Sequence, residues 1–203
     1  ASLLGSPVPL VETVTQAGTL VVGTPDSSPI IAALGLGSDL ARAGDEGFVI
    51  RRADLNGNAG IVIAANRDTG VLYGVFHFLR LLQTGRSLDD LRIVSAPKIK
   101  HRILHHWDNL DGTIERGYAG YSLWDWHKLP DYVAPRYADY ARACASVGIN
   151  GSVLTNANAN ALSLTRPYLR KAAALADVFR PYGIRIFLSA RLTAPMELDG
   201  LTT

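Results

Sequence analysis

The chain has 203 residues, 48% of them hydrophobic and 19% charged, with a formal net charge of +2. Such a composition buries a core and excludes a disordered chain, and without a cluster of Lys and Arg it argues against nucleic acid as a partner. No apolar run approaches the ~20 residues a membrane span needs, so a membrane is not an expected partner, and the single Cys144 rules out an internal disulfide.

The first residue is Ala1 rather than Met. The start therefore reads as processed or excised, and cytoplasmic and exported locations both stay open. Residues 1–97 read as a small α/β unit with a sheet against helices. "TLVVGT" (19–24) suits a buried strand, followed by a turn and a helix over "PIIAALGL". "EGFVIRRA" (46–53) and "GIVIAAN" (60–66) suit paired strands, with Asn-Gly between them as the turn signal. Asp68 or Thr69 then caps a helix whose apolar stripe is Leu72, Val75, Phe76, Leu79 and Leu82. "LRIVSAP" (91–97) closes the unit.

A second unit spans 98–203, opening with a strand at "HRILHHW". Residues 131–147 suit a helix with Pro135 in its first turn and Tyr137, Tyr140 and Cys144 buried. "INGSVLT" is the next strand. A further helix, "RPYLRKAAALADVFRPYG", places Leu169, Ala173, Ala176 and Phe179 on one face and stops at Gly183. "IRIFLSA" (184–190) is the third strand. The order β-α-β-α-β predicts parallel pairing, in either a doubly wound sheet or the first part of a (β/α)8 barrel. A barrel takes about 250 residues, so it is incomplete within 98–203.

Residues 105–127, "HHWDNLDGTIERGYAGYSLWDWH", gather three Trp, four acidic side chains and three His after the first strand of this unit. Loops at the carboxyl ends of parallel strands are where such folds meet ligands. Asp108, Asp111, Glu115 and Asp125 are candidate carboxylates, since glycoside hydrolysis needs a pair. The plainer alternative is that Asp108 and Asp111 cap turns and Glu115 pairs with a neighbouring Arg. Trp107 and Trp124 offer flat apolar plates suited to sugar rings. Asn156, Asn158 and Asn160 alternate, so in an extended chain their amides share one side, where they suit sugar hydroxyls; a turn rich in Asn is the equal alternative. His101 and His105 would lie ~13 Å apart on a strand, too far to share a metal. "GLGSD" (35–39) falls short of a dinucleotide fingerprint, and neither Cys144 nor Ser122 has the setting of a nucleophile. No cofactor is expected.

"RILHHWDNLDGTIERGYAGYSLW" resembles the segment that opens the barrel in the α-glucuronidases of glycoside hydrolase family 67. "GINGSVLTNANA" and "YLRKAAALADVFRPYGIRIFLS" resemble that family's next βα unit, and "DTGVLYGVFHFLRLLQ" the last helix of its non-catalytic N-terminal domain. The resemblance implies an N-terminal α/β domain at 1–97, then a truncated (β/α)8 barrel at 98–203. The implied activity is inverting removal of 4-O-methyl-glucuronic acid from xylo-oligosaccharides, without a metal, so glucuronoxylan-derived oligosaccharides are the implied partners. It also implies a substrate-binding set of Trp107, Asp108, Asn109, Asp111, Glu115, Arg116, Asn156 and Asn158, with Trp107 walling the uronic-acid pocket. No catalytic residue is assigned within the chain, because the family's acid and base lie on later strands. Ala157 stands where many members carry Val, His105 where Asn is usual, and Arg191 also where the family has Asn. A homodimer of the full-length enzyme is compatible with the sequence, which fixes no oligomeric state. A complete carbohydrate-binding module is the rival reading. Another is a different hydrolase that uses Glu115 with Asp108 or Asp111.

Overall fold

Runs of Val and Ile bounded by glycine-rich turns build the first half of the chain. The computed structural model describes residues 7–199, so the outer limits expected for the two domains, residues 1 and 203, lie outside the described residues. Two compact units divide between Lys100 and His101. In the first, β1 (Leu20–Gly23), β2 (Phe48–Leu55), β3 (Asn58–Ala64) and β4 (Arg92–Ser95) form one sheet in the order β1-β3-β2-β4. β1 runs parallel to β3, and β2 is antiparallel to both its neighbours. Leu55 pairs with Asn58, leaving Asn56-Gly57 as a two-residue turn with φ of 56° and 82°. Positive φ at both positions is what such a hairpin demands, and Asn-Gly tolerates it best.

Successive strand residues point to opposite faces. One face, with Val49, Val62 and Ala64, packs against Ile31 of α1 (Pro29–Ala33) and Leu40 of α2 (Gly37–Ala43). The helix expected over 29–36 ends at Ala33, and α2, which the sequence did not suggest, follows it. The other face meets α3 (Asp68–Gln83), whose buried residues are Gly70, Tyr73, Gly74 and Phe78. That corrects the stripe expected at Leu72, Val75, Phe76, Leu79 and Leu82: the first four are half-buried, and Leu82 is exposed. Counting large apolar residues misses a helix that touches its sheet through glycine. A Cβ on Gly74 would stand 2.6 Å from Ile63 Cγ2 and 3.1 Å from Phe48 Cβ. The cap also differs, since Arg67 is the N-cap and makes no side-chain capping bond, while Asp68 sits in the first turn, where a negative charge suits the helix dipole.

The second unit has three parallel strands, β5 (Ile103–His105), β6 (Gly151–Val153) and β7 (Arg185–Phe187), in sequential order. Ile103 pairs with Gly151 and Gly151 with Arg185. The crossovers contain α4 (Arg136–Ser146) and α5 (Arg166–Phe179), and α6 (Ala194–Asp199) follows β7. Parallel pairing with helical crossovers agrees with the order expected from sequence. Each strand is three residues long. Trp124, Trp126, Tyr137, Leu154, Leu175 and Phe179 fill the core. α5 buries Ala172, Leu175 and Phe179; of the expected face Phe179 is buried and Ala176 half-buried, whereas Ala173 is exposed and Leu169 is 43% exposed. Four alanines between 172 and 176 read equally well on two faces, so Leu175 decides the packing. Pro135 precedes α4 as its N-cap, and Tyr140 is partly rather than fully buried. Gly183, at φ 69°, terminates the turn after α5 as expected. No helix among the described residues is long and apolar enough to cross a membrane.

Candidate functional site

β5 delivers the chain directly into the segment that carries most of the candidate residues. Trp107 is 48% exposed, whereas Asp108 beside it is 2% exposed. His106, on the other side of Trp107, is largely buried. His106 Nε2 lies 2.7 Å from the Tyr140 hydroxyl, its Nδ1 3.8 Å from Asp108 Oδ1, and its ring meets Trp124 edge-on at 5.0 Å. Burial holds the His106 imidazole below its ordinary pKa, with the Asp108 carboxylate opposing and His105 adding to the effect. Burial likewise pushes up the Tyr140 hydroxyl and the Cys144 thiol. The bond between His106 and Tyr140 thus joins two neutral groups in a part-buried place.

Asp108 Oδ2 accepts from Ser122 Oγ at 2.5 Å and from the Leu123 N–H at 3.2 Å, and Ser122 Oγ accepts from the Trp124 N–H at 3.0 Å. One carboxylate thereby closes both ends of the intervening loop. Within that loop the Asn109 side-chain amide donates to Thr113 Oγ1 at 2.9 Å and to the Glu115 carbonyl at 2.7 Å. Asp111 is exposed and accepts from the Thr113 N–H and hydroxyl at 2.9 and 2.7 Å, which holds its carboxyl below the usual range. This is the turn-capping alternative for Asp111. Asp125 pairs with Lys128 at 3.0 Å, which lowers its pKa in the same way.

Glu115 is different. Its backbone is left-handed, with φ 58°, its N–H donates to the Trp107 carbonyl at 2.8 Å, and its side chain is half-buried. Arg116 is exposed. Neither side chain forms an ion pair or hydrogen bond among the described residues, so the expected pairing of Glu115 with an adjacent Arg is absent. The exposed Trp107, whose ring meets that of His105 at 6.4 Å, thus stands in one short segment with the unengaged side chains of Glu115 and Arg116.

The amide series after β6 does not form the row expected of an extended chain. Asn156 is buried, and its Oδ1 accepts from the Asn158 N–H at 2.9 Å. Asn160 caps a short 3-10 helix, Ala161–Leu164, by accepting from the Leu162 N–H. Asn side chains compete for nearby backbone donors and turn the chain. Only Asn158 and Asn160 are exposed. The backbone N–H of Asn156 nevertheless reaches the Asp108 carbonyl at 2.9 Å, which brings two of the expected residues together. Trp124 is corrected too, because at 1% exposure it is core and offers no plate to a ligand. Among the described residues no group of three His, Cys, Asp or Glu could hold a metal ion. His105 Nε2 lies 3.4 Å from Ser189 Oγ, at the exit of β7.

The sequence reading missed His106, Ser122 and Tyr140 as parts of this assembly. Alternation along the strand carried a signal for His106, which stands two residues before Asp108 and opposite Trp107. Nothing local marked Tyr140.

Residues 81–203 match the glycosyl hydrolase family 67 middle domain, and residues 1–78 match the glycosyl hydrolase family 67 N-terminus. A probable alpha-glucuronidase A of Aspergillus terreus is 39% identical over 168 residues, covering 82% of this chain and 19% of that protein. Alpha-glucuronidase A of Emericella nidulans is 35% identical over 164 residues, covering 78% of this chain and 19% of that protein. The chain thus spans about a fifth of the curated relatives it matches. Among solved structures, a family GH115 4-O-methyl-alpha-glucuronidase with specificity for decorated arabinogalactans superposes with a TM-score of 0.56 at 16% identity, covering 94% of this chain and 26% of that one. A GH138 enzyme targeting pectin rhamnogalacturonan II gives 0.51 at 17% identity, over 91% of this chain and 26% of its own. At these identities the two structures speak for the fold alone. With both of its units matched by that family's own domains, the chain belongs to glycosyl hydrolase family 67.

Proposed function

We propose that this chain forms the N-terminal domain and the opening βα units of a (β/α)8 barrel in an alpha-glucuronidase. The enzyme removes 4-O-methyl-glucuronic acid from glucuronoxylan-derived oligosaccharides by an inverting displacement, without a cofactor. The chain supplies residues that hold the substrate, and the acid and base come from outside its 203 residues. Trp107 stacks on the sugar, Glu115 and Arg116 contact its polar rim, and Asn158 faces the same ligand from the loop after β6. Asp108, Asn109, Asp111 and Asn156 belong to the same site and act chiefly by shaping it.

One observation carries this reading: of the four carboxylates in 105–127, three are engaged in the loop's own hydrogen bonds or ion pairs, and only Glu115 is not. Inversion needs an acid and a base, about 6.5–9.5 Å apart, so a single unengaged carboxylate suits substrate orientation better than catalysis. The parallel, sequential strands also accord with the start of a barrel.

The test is to assay the purified 203-residue chain and the longer protein that contains it on aldouronic oligosaccharides. Release of free uronic acid by the longer protein alone supports the proposal. Turnover by the short chain shows that Glu115 and a neighbouring acid do the chemistry themselves. Binding without turnover in both supports a carbohydrate-binding module, a reading favoured by the exposure of Trp107, Tyr118 and Tyr121.

A further inference from the structure

We infer that Asn109 is a positioning residue: its side-chain amide locks Glu115 in a left-handed backbone conformation and so fixes where the Glu115 carboxylate leaves the loop beside Trp107. The inference rests on the alpha-glucuronidase reading above and adds to it what Asn109 shapes and through which residue it acts.

A non-glycine residue with φ near +60° is uncommon and strained, and it persists only when its surroundings hold it. Gly112, Gly117 and Gly120 take φ of 89°, 93° and 101° in the same loop, as glycine does freely. Glu115 takes φ 58° with a long side chain attached. Two bonds hold it there. Its N–H donates to the Trp107 carbonyl at 2.8 Å, and its own carbonyl accepts from Asn109 Nδ2 at 2.7 Å. Asn109 is itself fixed, since its amide also donates to Thr113 Oγ1 at 2.9 Å and its backbone N–H donates to the Thr113 carbonyl at 2.8 Å. Thr113 in turn donates to Asp111.

Both N–H donors of the Asn109 amide are therefore occupied by the loop and not by a ligand. The strain at Glu115 cannot be explained by the turn, because glycine would make the same turn at no steric cost. Nor does the Glu115 carboxylate make any hydrogen bond or ion pair among the described residues that would account for a glutamate there. What remains is that the side chain is wanted outside the loop, and Asn109 holds the backbone that delivers it.

A double-mutant cycle in the full-length enzyme containing this chain tests the inference. Asn109→Asp keeps the shape and removes the two donors. On aldouronic oligosaccharides it should lower kcat/KM by about 10-fold or more. In a Glu115→Ala background the same change should add less than about 3-fold, because the residue it acts through is already gone. Equal losses in both backgrounds, or no loss in either, overturn the inference. If Asn109→Asp does not fold, Thr113→Val, which removes an acceptor of the same amide, carries the same cycle. An unmutated enzyme that does not act on these oligosaccharides overturns the functional reading and this inference with it. An active enzyme with additive losses overturns the inference alone.

Discussion

The backbone N–H of Asn156 donates to the carbonyl oxygen of Asp108 at 2.9 Å, and this bond fastens the segment leaving β6 to the segment leaving β5. With the Asp108 carboxylate holding Ser122 and Leu123, one residue joins three stretches of chain. Trp107 and Glu115 project from the frame that these bonds build.

Asp108→Ala should therefore act on stability first. It leaves the Ser122 hydroxyl and the Leu123 N–H without their acceptor in a buried place, a cost of about 2–4 kcal/mol. Urea unfolding of the variant beside the parent checks this. Unchanged stability with lost sugar binding would show that Asp108 faces the ligand instead.

Trp107 and Trp124 should divide by burial. Trp124→Ala removes a ring that is 1% exposed and packs on His106, Tyr137, Tyr140 and Phe179, at a cost of about 3–5 kcal/mol. Trp107→Ala should change stability by less than about 1 kcal/mol and weaken oligosaccharide binding. Calorimetry on both variants separates the two roles, and a Trp107 variant with intact affinity contradicts the proposed stacking.

Stability should rise with pH through the range where His106 titrates. Burial lowers its native pKa below the unfolded value of about 6.5, so the unfolded chain binds more protons between the two values. The stabilisation is complete above about pH 6.5 and declines as the pH falls toward the native value. His77 is lowered too, by burial and then Arg80, and contributes with the same sign. His106→Asn should flatten part of the slope in urea midpoints measured from about pH 5 to about pH 8. A parent whose stability increases on acidification over that range contradicts the assignment.

Gly74→Ala should destabilise the first unit, although alanine favours helices. Its Cβ would press on Ile63 and Phe48, and overpacking of that kind costs about 1–3 kcal/mol. A raised thermal midpoint would mean that α3 can move away from the sheet.

The contact at Gly74 also explains what the sequence could tell. The Asn56-Gly57 turn, the β-α-β-α-β order and the stop at Gly183 were legible because each depends on local chemistry. The buried faces of α3 and α5 were legible only in part: Phe179 was, but Gly70 and Gly74 carry no apolar signal where α3 meets its sheet, and the alanines around Leu175 fit two faces. In the site, the segment's place after β5 was readable from its composition and from the family pattern. The turns of Asn156 and Asn160 were hidden because the amides bond their own backbone and break the alternation. The link between His106 and Tyr140 was hidden because it joins residues 34 apart in the sequence.

The central claim, that this chain orients the substrate while others do the proton chemistry, is tested most directly at Glu115 in the full-length enzyme. A general acid matters most when the leaving group is poor, whereas a residue that binds the sugar matters for every substrate. Glu115→Gln should lose about 2–4 kcal/mol of transition-state binding, and to a similar extent on xylo-oligosaccharides and on an aryl glucuronide with a good leaving group. Nearly full activity on the aryl substrate with failure on xylo-oligosaccharides would make Glu115 the acid and contradict the account.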